Sequence, residues 1–339
     1  VLLKRLSEAC GGPGQEDEVR NLIRDEVTPL VDEISTDALG NLITLRRGNQ
    51  EGPRVMIAAH MDEVALMIMA IESSGLLKFN PIGGIDPRVL VAKTVVIGKN
   101  RVPGVIGSKP IHLQRPEERE KAISINEMFI DIGVSIKSEA EKLVKIGDLA
   151  YFSTKFAEIG NDKFKGKAFD DRVGCSLLID LLHDRYDFPL YGVFTVQEEV
   201  GLRGAGVAAH RIQPDIALVL EGTTASDVPE TPEHKHATSV GKGPCITIMD
   251  SSVIPDPRLV ATLLQIASEN EIPVQIRRNT AGGTDAGKIQ SSRSGVRVAT
   301  ISIPCRYIHS PVAVMSKADY DNALKLVKAF LHCVEKGEI

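Results

Sequence analysis

The chain has 339 residues, 43% of them hydrophobic and 25% charged, which is enough apolar surface for a large core and for more than one domain. Its 40 basic and 45 acidic residues are mixed along the sequence for a formal charge of −5, so no basic face invites a phosphate backbone and nucleic acid is not an expected partner. Five cysteines without a CxxC pair argue against a disulfide framework or a thiolate zinc site and fit a reducing, cytoplasmic setting; no apolar run is long enough to predict a membrane span.

In chain order, Val19, Leu22, Ile23, Val27 and Leu30 fall at helical spacing within residues 15–30, and residues 54–59 form a short apolar run suited to a buried strand. From about residue 71 to 153 the rhythm changes. Short strand candidates at 76–79, 89–97, 102–106, 129–132 and 149–152 are separated by Gly and Pro, with 110–120 as a polar loop. That is the pattern of a small β-rich barrel or sandwich inserted into a larger domain. Beyond Gly160 the spacing predicts helix over 170–183, strand over 190–196, helix over 204–211, strand over 216–220 and helix over 257–270. Strands over 273–276 and 296–303 follow, then a closing helix over 316–335 that Ser316 caps, with Asp319 three residues on. Alternating strands and helices imply an α/β fold, a mixed sheet with helices on both faces. It is assigned to residues 1–70 plus 154–339, with 71–153 as the insertion.

Five segments place a metal-competent side chain at or just past an apolar run. In AAHMD, His60 and Asp62 close the first strand, and alternate residues of an extended chain share a side, so Asp62 can reach the free ring nitrogen of His60. In FDDR, Asp170 and Asp171 precede a helix; one can accept the helix's free amides while the other faces a metal. In QEEVG, Glu198 and Glu199 follow a buried strand, where adjacent carboxylates repel unless a cation, a proton or water intervenes. The run IALVL ends in Glu221, and the last strand leads into His309 in YIHSP. Taken singly, each of these segments reads equally well as an ordinary strand end, helix cap or solvated loop. Their coincidence carries the argument, because four of the five deliver at the carboxyl ends of strands, where open α/β sheets bind ligands. Two histidines and three to five carboxylates, with no cysteine, suit two zinc, cobalt or manganese ions sharing a bridging carboxylate and a water.

The segments AAHMDEVALMI, KAFDDRVG, FTVQEEVGLRGA, LEGTTASDVPE, AGGTDAGKIQ and YIHSP resemble, in order, those of the glutamyl and deblocking aminopeptidases that assemble into hollow tetrahedral dodecamers. The resemblance implies a dinuclear-metal exopeptidase acting on peptide substrates, a PDZ-like inserted barrel that mediates contacts in a homo-oligomer, and two divalent metal ions per subunit. It implies that His60, Asp170 and Glu221 hold one metal and that Asp170, Glu199 and His309 hold the other. Asp62 would orient His60, and Glu198 would be the general base. Glu221 departs from the commoner pattern, which has Asp there, and the LEGTTASD form points to the glutamyl-specific branch and acidic substrates. Arg277, Arg278, Lys288, Arg293 and Arg306 are the candidate cations for such a side chain. A unit of short strands also has edges that assembly would cover.

Three rivals remain at this stage. GAGVAA over 204–209 matches a dinucleotide-binding GxGxxA, but six residues separate Val196 from Arg203 where the phosphate turn should follow the strand almost directly. A glycoside hydrolase could use two of the carboxylates, yet the chain has no tryptophan and only 4% aromatic residues to stack on sugar rings. A metal-dependent binding protein leaves the spare carboxylate Glu198 without a role.

Overall fold

The computed structural model describes residues 1–48, 52–278 and 280–339. Its main sheet runs Glu33–Thr36, Leu42–Arg46, Leu190–Thr195, Val55–His60, Ile216–Thr224, Arg297–Arg306, Ala313–Ser316, Lys163–Gly166, Ala157–Ile159, with Cys245–Ile246 and Gln275–Ile276 attached beside Arg297–Arg306. The four central strands are parallel; the flanking ones are antiparallel. Val55–His60 is buried along its whole length, as a strand covered on both faces must be.

The two faces are covered differently. On one, Leu6, Ile23, Phe169, Leu177, Leu263 and Phe330 bring helices Leu2–Glu8, Asp17–Val27, Phe169–Leu181, Pro257–Glu269 and Lys317–Glu335 onto Val55, Ile57, Leu218 and Leu220. On the other, Ala205, Ala208 and Ala209 of helix Arg203–Ile212 and Ala286 and Ile289 of helix Ala286–Gln290 meet Met56, Ala58, Ala217 and Val219. These small residues let the second helix layer approach the strands closely.

The insertion is a closed six-stranded antiparallel barrel, in the order Ala65–Ile71, Leu77–Ile82, Met128–Asp131, Val102–Ser108, Thr94–Ile97, Leu149–Phe152, filled by Leu66, Ile68, Phe79, Val95, Ile106 and Ile130. It takes in Ala65–Ile71, upstream of the change of rhythm at residue 71. Closure removes free edges, so covering strand edges is not a reason for assembly. The strand expected over 89–97 begins at Thr94, because Pro87–Val89 is a 3-10 turn and Ala92 has φ 65°. The polar loop over 110–120 contains Ile111–Leu113 and Pro116–Arg119 as short helical turns.

The cap expected on the last helix is absent. Ser316 is its N-cap residue but makes no side-chain capping bond; its hydroxyl donates to Asp162 at 2.8 Å. Asp319 instead accepts the amides of Gly241 and Gly243, both at 2.7 Å. Both side chains are spent on tertiary contacts that sequence spacing does not show.

Candidate metal centre

Parallel register brings the first residues of the site level with one another. Thr195 pairs with His60 and Glu221 with Ser302, while Ala58 pairs with Val219 two residues short of His60 and Glu221. His60 and Glu221 therefore share a row near the carboxyl edge of the sheet and point to the same face. Glu198 and Glu199 follow Leu190–Thr195, and His309 follows Arg297–Arg306.

Both histidine rings have acceptors at both nitrogens. His60 Nδ1 donates to the backbone carbonyl of Asp62 at 3.0 Å, and His309 Nδ1 to the carbonyl of Gly84 at 3.0 Å. A carbonyl cannot donate, so each Nδ1 carries the proton and each Nε2 is the atom turned to the centre. There the two Nε2 atoms meet opposite oxygens of one carboxylate: His60 faces Asp170 Oδ1 and His309 faces Asp170 Oδ2, each at 3.0 Å. Glu221 Oε2 stands 3.5 Å from His60 Nε2, and Glu199 Oε2 3.4 Å from His309 Nε2.

The FDDR pair divides its work. The amides of Gly174 and His60 donate to the two oxygens of Asp171, at 3.0 and 3.1 Å, so this residue satisfies the helix start and the end of the His60 strand. Asp170, joined to it by a cis peptide, faces the histidines. By distance alone, His60, Asp171 and Glu221 form one donor triad and Asp170, Glu199 and His309 another, each within 4.8 Å. Hydrogen bonding distinguishes the two aspartates, since both Asp171 oxygens already accept amides.

Asp62 meets His60 in two ways. Its carboxylate is 3.5 Å from His60 Nδ1; the close contact to the ring comes from its main chain. The carboxylate itself accepts the amides of Glu198 and Glu199, both at 3.0 Å.

The electrostatics call for positive charge. Burial pushes Glu199 up to about 8, against the attraction of His309, and pushes Glu221 up to about 7, against His60. Burial and the nearby Glu221 also raise Glu198, although His60 pulls it down. Asp170 is held well below the usual range because hydrogen bonds from His309 and His60 outweigh its burial. For His60 and His309 burial acts downward, but the carboxylates prevail and raise both, His309 to about 9. Glu199 Oε1 and Glu221 Oε1 are buried without a hydrogen-bond partner among the described residues, a costly state for an anion unless a cation meets it. Nitrogen and oxygen donors, orphaned oxygens and acceptor-faced rings fit divalent cations.

Several contributors were not among the expected site residues. Asp285 is buried, accepts the Thr195 hydroxyl at 2.5 Å and leaves Oδ1 without a partner among the described residues; burial raises it to about 6. Its helix start lies far in sequence from the motifs it joins. Gly84 acts only through a carbonyl. Behind the site, buried Lys167 donates to both oxygens of Glu63, at 2.6 and 2.7 Å, and Arg172 donates to Glu63 and to the carbonyls of Met61, Leu6, Ala9 and Gly11.

In front of the centre lies a cavity of about 540 Å³ whose wall includes Asp170, Glu198, Glu199, Glu221, His309 and Arg277. Of the expected cations only Arg277 reaches it. Arg306 pairs with Asp227 at 2.6 Å, Arg278 donates to the Glu233 carbonyl, Arg293 lines a cavity at the opposite edge of the sheet, and Lys288 lies on helix Ala286–Gln290.

Residues 40–326 match the model of a peptidase family described as M42 glutamyl aminopeptidase. The chain belongs to that family. It is 39% identical to the putative aminopeptidase FrvX of Escherichia coli over 97% of this chain and 94% of that one. It is 35% identical to the lysyl aminopeptidase of Pyrococcus furiosus over 97% and 96%. Among solved structures, the TET1 peptidase of Pyrococcus horikoshii, reported to assemble into a tetrahedron or a large octahedral shell, superposes with a TM-score of 0.87 at 33% identity, covering 97% of this chain and 98% of that one. This M42 chain is thus an aminopeptidase, a hydrolase. No helix of its described residues is long and apolar enough to cross a membrane.

Packing explains the glycine motif. In this M42 chain a Cβ at Gly204 would overlap the Asn41 side-chain oxygen and the Val196 backbone, whereas one at Gly206 would meet Lys288 at an ordinary 3.6 Å. The first glycine lets a helix press on a strand, and the second has no such need. No Phe or Tyr lines the cavity among the described residues, against the sugar-cleaving reading.

The raised groups set a pH dependence for metal-free protein. Glu199 shifts from 4.5 to about 8 and His309 from 6.5 to about 9, so the folded state holds protons that the unfolded state releases, and stability falls as pH rises through these intervals. Metal-stripped protein is expected to melt lower at pH 9 than at pH 6, with divalent metal narrowing the gap because it binds deprotonated donors. Thermal unfolding with and without metal checks this; a stripped protein that melts as high at pH 9 contradicts it.

Proposed function

We propose that the chain is a two-metal aminopeptidase that removes amino-terminal residues, with a preference for acidic ones. One observation carries the dinuclear reading: the two oxygens of Asp170 each face the Nε2 of a different histidine, the arrangement of a bridging carboxylate. Asp170 would be shared between the two ions, with His60 and Glu221 completing one donor set and Glu199 and His309 the other. Two divalent ions, zinc or cobalt with manganese as a further option, supply the charge that brings a water's pKa towards neutrality and polarises the scissile carbonyl.

The remaining steps belong to the protein. Glu198 lines the cavity and has no place in either donor triad, so its carboxylate is free to take the water's proton and return it to the departing amine. Asp62 and Gly84 hold the two rings through main-chain carbonyls. The free α-amino group of the substrate lies at the carboxylate-rich end of the cavity, which excludes peptides whose amino end is blocked.

The acidic preference rests on Arg277, the one Lys or Arg in the cavity wall among the described residues. Its Nη2 donates to the Ala281 carbonyl at 2.5 Å, while its Nε is buried without a hydrogen-bond partner among those residues. The guanidinium offers a substrate carboxylate its charge and its cavity-facing N–H groups. The lysyl-specific relative supports the opposite preference, and a panel of amino-terminal glutamyl, lysyl and leucyl anilides decides. Arg277→Met is expected to lower kcat/KM for the glutamyl substrate by roughly 10- to 100-fold, the share of a charged hydrogen bond, with little change for the leucyl one. Equal losses on both would remove Arg277 from substrate selection.

We further propose a homo-oligomer in which the barrel contributes contacts. Met69, Ile136, Leu143 and Ile146 are exposed there, and Gly147 bonds to Ile68 while Lys137 bonds to Ser73, which draws their segments together into an apolar face. A monomer mass by light scattering at micromolar protein overturns this.

Chelation is expected to abolish hydrolysis of unblocked peptides, and added zinc, cobalt or manganese to restore it. Glu198→Gln keeps shape and removes the proton acceptor, so it should retain both metals while losing turnover by roughly two to four orders of magnitude. Glu199→Gln should lose metal and recover in excess. Metal per subunit, measured beside amide hydrolysis at saturating metal, separates them; the reverse pattern would swap the two roles.

A further inference from the structure

The turn that carries Glu198 and Glu199 begins at Gln197, whose φ of 57° is left-handed, and closes where the amides of Gly201 and Leu202 return to the Glu198 carbonyl. Inside it, the Glu198 and Glu199 amides point the same way. They donate to opposite oxygens of Asp62, a carboxylate 0% exposed, each at 3.0 Å. The same residue meets His60 through a different group, its carbonyl, at 3.0 Å, with the carboxylate 3.5 Å from the ring. A carboxylate that accepts two backbone amides makes charge-assisted bonds, and at zero exposure no water replaces them.

We propose that the Asp62 carboxylate is the positioning residue of the Glu198–Glu199 turn, setting where the general base and the adjoining metal carboxylate stand, while the orientation of His60 is carried by the Asp62 main chain. The consequence for metal rests on the two-ion reading; the pin does not. The two roles open to Asp62 predict damage in different places. If the side chain steers His60, its loss weakens the His60–Glu221 set. If it pins the turn, its loss weakens the Glu199–His309 set and spares the other.

Asp62→Asn keeps the volume but offers one acceptor oxygen and a donor NH2, so one of the two amides loses its partner. In hydrogen exchange of the whole protein followed by mass spectrometry, the peptide over residues 196–202 is expected to exchange roughly tenfold faster or more, while the peptide over 55–61 is unchanged. In crystals equilibrated with limiting zinc, anomalous occupancy should fall severalfold at Glu199–His309 and hold at His60–Glu221. Should this variant not fold, His60→Ala serves: with the ring gone, the amides of residues 198 and 199 stay protected and the Glu199–His309 set keeps zinc. Unchanged exchange in Asp62→Asn, zinc lost first from His60–Glu221, or deprotection of the turn in His60→Ala each overturns the proposal. Wild-type crystals without zinc at either set sink the two-ion reading, and the exchange measurements then decide the pin alone.

Discussion

Asp62, Asp170, Glu199, Glu221 and Asp285 crowd around two imidazoles at the carboxyl edge of an otherwise apolar sheet, and the folded chain has to make this arrangement tolerable. Three of these carboxylates keep an oxygen with no partner among the described residues beside histidines whose every ring nitrogen already faces an acceptor. Without cations the chain answers with protons, hence the raised Glu199, Glu221 and His309. Divalent cations would take the place of those protons at the donor atoms. The rigidity behind the site serves this end: Arg172 and Lys167 tie the segment after His60 to the amino-terminal helices through carbonyls and Glu63, so the donors cannot relax apart under repulsion.

Neighbouring residues of one type take unlike parts because adjacent positions on a backbone face different ways. Asp171 turns back to the amides of Gly174 and His60 and Asp170 forward to the rings. Glu199 joins a donor set, whereas Glu198 opens on the cavity. Asp62 divides even within one residue, its carbonyl serving the ring and its carboxylate the turn.

The sheet's order of strands and helices was legible because burial on both faces writes unbroken apolar runs, as over Val55–His60, and because amphipathic helices such as Asp17–Val27 repeat at their own period. The donor residues were legible as a coincidence of His, Asp and Glu at the ends of such runs. What escaped acts through backbone or over long sequence separations. The Gly84 carbonyl has no side-chain signature, Asp319 looked like a helix cap but serves Gly241 and Gly243, and the bonds from the Glu198 and Glu199 amides to the Asp62 carboxylate are not written in alternation, which gives a side and not which atom arrives. The inserted barrel was legible as one of two β arrangements and through the resemblance; what escaped was its first strand, because closure depends on Ala65–Ile71 pairing with both Leu77–Ile82 and Leu149–Phe152.

That barrel is more than an appendage beside the catalytic sheet. Its Leu77–Ile82 strand leads straight into Gly83, whose φ of 85° suits glycine and whose place beside Val64 and Glu199 leaves little room for a side chain, and then into Gly84, which accepts the proton of His309 Nδ1. His309 is the more exposed of the two histidines, with 37% of its side chain accessible against 1% for His60, and it stands on a loop past the last parallel strand. The sheet buries His60 by itself, whereas His309 owes its tautomer and aim to a carbonyl contributed by the insertion. A shift of the barrel relative to the sheet would therefore disturb the Glu199–His309 half of the centre before the His60–Glu221 half, so any contact that fixes the barrel in an assembly also bears on the more weakly held half of the site.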